Sequence, residues 1–292
     1  MYTDPNFCIA VAFDFHLIPL TIALFKVIQA ANRSNSPMKR AFLILFFAAF
    51  AAFTGFAAEP VLVGHWKLDE KDGDVVADSS ASKNNAKAMN APARVPGKVG
   101  GAFSFDGKNQ YVEIPNSKEL EKLQLGSYAI AAWFKAENVP LGTTDEANDA
   151  QYGIVLRTGW HEGVTYTKDK KFLFTHWIMG EKDPVWTGIG AWDTDYEPGE
   201  WHHLVGVVDK DARVAKIYVD GELKGTTEPW DAKAVAKDYA QITWKIGIGN
   251  PGSDKYAWPA KGAIDDVRLY ASALSDEQVK AIYDAGAAGK EK

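Results

Sequence analysis

Residues 199–225 read GEWHHLVGVVDKDARVAKIYVDGELKG, and this stretch decides the fold class. Trp201 to Asp209 is rich in aromatic and β-branched side chains. Lys216-Ile217-Tyr218-Val219-Asp220 alternates polar and apolar, the period of a half-buried antiparallel strand. Asp220-Gly221 supplies the positive φ that a tight hairpin needs. The same strand chemistry recurs at 61–69, 101–106, 110–114, 127–136, 172–178, 201–209, 213–220 and 262–270. Turn pairs such as Asn84-Asn85, Asp106-Gly107, Pro198-Gly199 and Pro251-Gly252 separate these runs. Only one helix is predicted, Asp276 to Ala285: Ser275 caps it, Gln278 completes a capping box and Gly286 ends it. Many short strands and one terminal helix predict an all-β sandwich or jelly roll.

Composition narrows the function classes. The chain has 292 residues and a net charge of −6, with no basic run long enough to track a phosphate backbone, so nucleic acid is not an expected partner. Its single cysteine, Cys8, excludes an internal disulfide framework and a thiolate zinc cluster. Ten tryptophans are many for this length, and they are the most informative feature of the composition.

Residues 41–58, AFLILFFAAFAAFTGFAA, follow Met38-Lys39-Arg40 and precede Glu59-Pro60. A basic start, an apolar stretch and small residues at the end have the layout of a secretory signal peptide, here 38–58, cut after Ala57 or Ala58. A retained signal anchor is the rival, because eighteen apolar residues just suffice to span a bilayer. Upstream, Phe7 to Ala31 is broken by Asp14, His16, Pro19 and Lys26 and makes a poor membrane span. Residues 1–37 are therefore expected to be an upstream extension of the gene model, with translation starting at Met38. The expected product is a secreted, periplasmic or cell-surface domain over 59–286, with a flexible tail at 287–292. No membrane partner is expected after signal cleavage.

Four segments occur in a telling order: GHWKLDEKDGDVVADSS (64–80), GKVGGAFSFDGKNQYVEIP (97–115), the 199–225 stretch, and KIGIGN (245–250) followed by GAIDDVRLYASALSDEQVKAIY (262–283). Together they resemble the laminin G-like branch of the concanavalin A-like lectin/glucanase superfamily. The resemblance implies a concanavalin A-like jelly-roll β-sandwich of two antiparallel sheets with a short C-terminal helix. It implies fold more than function, since one fold hosts many activities.

The glucanases of that superfamily carry a Glu-x-Asp-x-x-Glu pattern, which this chain lacks. Asp145-Glu146-Asn148-Asp149 and Asp69-Glu70-Asp72-Asp74 have the wrong spacing and are read as solvated loop charge. His202-His203 are neighbours on a strand, so they point to opposite faces and do not share one ion. Trp66, Trp133 and Trp201 are expected in the core. Trp186, Trp192, Trp230 and Trp258 are expected in the long connections 137–151, 179–200 and 226–242 or nearby Gly- and Pro-rich loops, with Trp160 and Trp177 intermediate. Indoles exposed there would stack on the C–H faces of sugar rings, with His161 and His176 donating to hydroxyls; the bland alternative is that they pin loops to the sandwich. Related jelly rolls often hold a structural calcium ion where first and last strands meet. That resemblance points to Asp265, with Asp69 and Asp106 as companions; an amide or arginine partner for Asp265 is the alternative. The expected function is a non-catalytic carbohydrate-binding module. The rivals are a polysaccharide hydrolase or lyase with loop-borne carboxylates, and a protein-binding adhesion or structural domain.

Overall fold

A computed structural model describes residues 59–140, 150–158, 162–179, 184–236, 242–252 and 257–289. The expected leader and upstream extension lie outside these residues, as do Trp160, His161 and the acidic run at 145–149. Within the unit Glu59–Lys292 the strands begin with β1 (Leu62–Trp66), β2 (Val75–Val76), β3 (Ala86–Met89), β4 (Ala93–Pro96), β5 (Gly101–Asp106) and β6 (Tyr111–Ile114). They continue with β7 (Tyr128–Ala136), β8 (Gln151–Thr158), β9 (Glu162–Thr167), β10 (Phe172–Met179), β11 (Pro184–Ala191) and β12 (His202–Asp209). The last are β13 (Val214–Val219), β14 (Glu222–Thr226), β15 (Val235–Ala236), β16 (Trp244–Ile246) and β17 (Lys261–Tyr270). Among the described residues two α-helices accompany them, the single turn α1 (Lys118–Glu121) and the terminal α2 (Asp276–Ala287), with a 3-10 turn at Leu123–Leu125. Among the described residues no helix is long and apolar enough to cross a membrane.

The strands form two antiparallel sheets. The first runs β14-β13-β12-β7-β17-β5-β4, with β1 also paired to β17. The second runs β11-β10-β9-β8-β16-β6-β3-β2, with β15 also paired to β10. Period-two alternation explains the layering. Tyr128, Ile130, Ala132 and Phe134 of β7 face the core between the sheets, and Ala129 and Ala131 face a smaller cluster with Val279 and Ile282 of α2. That double coverage buries β7 almost end to end. Asp220 and Gly221 take the positive φ values of the predicted tight turn, here between β13 and β14.

Several expectations are corrected. The helix continues through Gly286 to Ala287, because Gly286 packs against Trp133: a Cβ at 286 would stand 2.6 Å from the indole Nε1. The left-handed position falls instead on Gly289. Trp201 is half-buried beneath the Lys135 ammonium at 5.2 Å, whereas Trp66 and Trp133 are core and Trp244 joins them. Much of the connection expected over 179–200 is strand β11, so Trp186 sits directly opposite Trp177 on β10 rather than in a loop.

Candidate functional site

The candidate platform is the outer face of β10 and β11. Phe172, Phe174, His176 and Ile178 alternate inward, which turns Leu173, Thr175 and Trp177 outward. Register places Leu173 opposite Gly190 and Thr175 opposite both Gly188 and Gly163, so three glycines keep this face low. Trp192 follows β11 by one residue and is 60% exposed. It folds back along the strand over Gly190, where an added Cβ would overlap the indole. An exposed indole braced on backbone is a rigid apolar plane. Trp177, half-buried, lies four residues along β10 from Leu173, roughly 13 Å at the strand rise. Between them Thr175 is 7% exposed, and its Oγ1 has no partner among the described residues. On the neighbouring β9, the Thr165 hydroxyl donates to Gln151 Oε1 at 2.6 Å. Both threonine side chains are buried, so what this face offers a ligand is the exposed indole plane beside a glycine-lined strand, a surface suited to flat C–H faces.

The other expected ligand residues fall elsewhere. Trp258 is only 9% exposed, and its carbonyl accepts the Gly153 N–H at 2.8 Å, so it pins its segment to β8. His176 is not a surface donor but a buried ring, 1% exposed, whose Nδ1 lies 3.1 Å from the Tyr128 hydroxyl. Burial lowers its pKa to about 4, so it is neutral at pH 7. Trp230 packs beside it with ring centroids 5.9 Å apart. His176 and Trp230 therefore belong to a cavity of about 220 Å³ at one end of the sandwich, separate from the platform.

Behind His176 lies a buried ionisable cluster outside the residues expected from sequence. Glu162 and Arg157 are both fully buried, with Arg157 Nη1 4.0 Å from Glu162 Oε2 and His176 Nδ1 3.9 Å from Glu162 Oε1. Neither Glu162 carboxyl oxygen has a hydrogen bond among the described residues. Desolvation raises its pKa to about 8 against the opposing pull of Arg157, so the carboxyl is largely protonated at pH 7. The signal was present in the sequence: Glu162 shares parity with the inward Val164 and Tyr166.

The acidic residues of the last strand also differ from expectation. A bulge interrupts the β17–β7 register between Asp265 and Arg268, and Asp266 takes φ +49°. The bulge puts Asp265 on the outer face opposite Trp133, while Val267 and Leu269 join the inner core. Asp265 Oδ2 accepts the backbone N–H groups of Lys98 and Val99 at 2.7 and 2.8 Å, which ties down the 97–100 loop. Desolvation raises its pKa to about 7. Asp69 reaches the same loop by accepting the Gly101 N–H. Asp106 accepts the Lys108 N–H and pairs with Lys261, four residues away along β17, so it does not converge with the other two. The three do not converge as one carboxylate set for calcium, because Asp106 stands apart from Asp265 and Asp69. Asp265 Oδ2 serves two amides, while its buried Oδ1 has no hydrogen bond among the described residues. Asp266 instead pairs with His65 at 2.6 Å and with Arg268 at 2.9 Å, a buried structural triad. His203 is buried against Trp133, and His202 bonds Asp220 at 2.8 Å, which separates the two histidines as the strand period requires.

A family model described as concanavalin A-like lectin/glucanases superfamily (Laminin_G_3) matches residues 106–280. Similar solved structures include the binding domain of Paraclostridial Mosquitocidal Protein 1, at 12% identity and TM-score 0.59, covering 77% of this chain and 52% of that one. Domain 4 of AbnA, an extracellular arabinanase from Geobacillus stearothermophilus solved with arabinotriose, aligns at 19% identity and TM-score 0.51, covering 77% of this chain and 99% of that one. A Trypanosoma rangeli sialidase aligns at 16% identity and TM-score 0.55, covering 79% of this chain and 34% of that one. The chain thus spans about half of the mosquitocidal binding domain and a third of the sialidase. These likenesses show the fold. No curated protein matches the sequence.

Proposed function

The chain belongs to the concanavalin A-like lectin/glucanases superfamily, and from that premise we propose that it is a non-catalytic recognition module whose ligand is carbohydrate. The observation that carries the reading is Trp192, 60% exposed and laid across Gly190 on the outer face of β11. An indole of that size left in water is unfavourable unless a partner covers it. A sugar ring offers a flat C–H face to the indole. Trp177, about 13 Å further along β10, suits a chain of several rings better than a single one. Two of the similar structures lend support, since one was solved with arabinotriose and the other with 2,3-difluorosialic acid as a covalent intermediate.

The test is a glycan array on the full chain beside its Trp192→Ala variant. Binding to a polysaccharide or oligosaccharide set that falls at least tenfold in the variant, with an unchanged melting temperature, supports the reading. An array without signal, or signal indifferent to the substitution, overturns it.

A further inference from the structure

The cavity at the end of the sandwich is built differently from the platform. Leu125, Ile178 and Val208 form apolar walls, Trp230 closes one side, His176 forms the floor and Lys210 stands at the rim. Lys210 is exposed, and its Nζ donates to the Leu125 carbonyl at 2.8 Å, which fixes the ammonium at the mouth. His176 Nδ1 is the hydrogen-bond partner of the Tyr128 hydroxyl at 3.1 Å. A neutral imidazole that accepts from Tyr128 at Nδ1 carries its proton on Nε2, its remaining polar atom. Among the described residues no carboxylate lines the cavity, and with that tautomer its two polar side chains are both donors, one of them a cation. Its volume of about 220 Å³ lies below the roughly 300–1,000 Å³ of drug-sized pockets and fits one ring rather than a chain.

We infer that this cavity is a second binding site, taking a single carboxylate-bearing sugar ring, with its C–H face on Trp230, its carboxylate at Lys210 and a hydroxyl accepting from His176. The inference rests on the carbohydrate reading for its ligand class only; its residues are independent of Trp192. Behind the floor, Glu162 holds two carboxyl oxygens without hydrogen bonds among the described residues. With Arg157 4.0 Å away, it backs the imidazole with a polar cluster where an ordinary core would be apolar.

The experiment titrates D-glucuronate and D-glucose into the full chain, followed by ligand-observed NMR, for wild type, Lys210→Glu, Trp230→Ala and Trp192→Ala. The expected result is saturable glucuronate binding, with glucose at least tenfold weaker. Lys210→Glu and Trp230→Ala each lose at least tenfold, and Trp192→Ala binds as wild type. Lys210 is exposed, so its variant keeps the wild-type melting temperature even if Trp230→Ala is destabilised. No saturable response up to about 10 mM, well beyond the usual range of specific affinities, overturns the second site and leaves the platform standing. Glucuronate binding lost in Trp192→Ala but kept in Lys210→Glu also overturns it, by moving the ligand to the platform.

Discussion

Replacing Glu162 by Gln keeps the shape of a fully buried side chain while removing its titration. In the folded protein the carboxyl has its pKa raised to about 8 by desolvation, against 4.5 in an unfolded chain. A raised acid pKa gives a contribution fully present below pH 4.5 that is lost as pH rises through 8, because the unfolded chain releases the proton first. The interval of about 3.5 pH units, at about 1.4 kcal/mol each, amounts to roughly 4–5 kcal/mol. Two buried histidines act in the opposite sense. His176 and His203, each lowered to about 4, stabilise above pH 6.5 and lose that contribution as pH falls toward 4. The effect of His203 cancels between wild type and variant, and that of His176, 3.9 Å from the carboxyl, cancels where Gln preserves its burial, so the comparison reads chiefly Glu162. Urea unfolding at steps from pH 4 to pH 9 is the assay. The variant gains on wild type by roughly 4 kcal/mol across that range, a relative melting shift on the order of 10 °C. Parallel stability curves would refute the buried, protonated carboxyl.

Three other substitutions probe separate links. Gly190→Ala leaves the backbone free to keep its conformation but drives a methyl into the Trp192 indole, so sugar binding falls at least tenfold while far-UV circular dichroism is unchanged. Gly286→Ala should gain about 1 kcal/mol of helix propensity yet lose net stability, by about 1–3 kcal/mol, because its Cβ meets Trp133; urea denaturation gives the sign. Asp265→Ala strands the Lys98 and Val99 amides and costs about 1–3 kcal/mol by the same assay. Millimolar calcium leaves the wild-type melting temperature unchanged, and a rise of several degrees would restore an ion at Asp265.

The fold was legible where strand chemistry was undiluted. The hairpins of β12 to β14 could be read from alternation and one Asp-Gly turn, and the N-cap of α2 from Ser275 and Gln278. β11 was not, because Pro184, Gly188 and Gly190 dilute its pattern and its identity comes from pairing with β10. Gly286 looked like a helix stop, since local sequence does not reveal that an indole from β7 needs the missing Cβ. Period-two alternation alone would put Asp265 on the face of Val267 and Leu269, and the bulge that moves it to the other face carries no clear sequence mark. Among the candidate ligand residues, Trp192 and Trp258 look alike in composition. Which one faces water depends on neighbouring strands, so the site was legible as a class of residue and not as a place.

The most direct measurement is N-bromosuccinimide oxidation of the full chain, followed by peptide mass spectrometry, with and without the strongest oligosaccharide found on the array. Trp66, Trp133 and Trp244 are fully buried and serve as inert references. The platform account predicts that Trp192 oxidises early in the free protein and is protected when the oligosaccharide is bound. Bound oligosaccharide with Trp192 oxidising at its unliganded rate would contradict it.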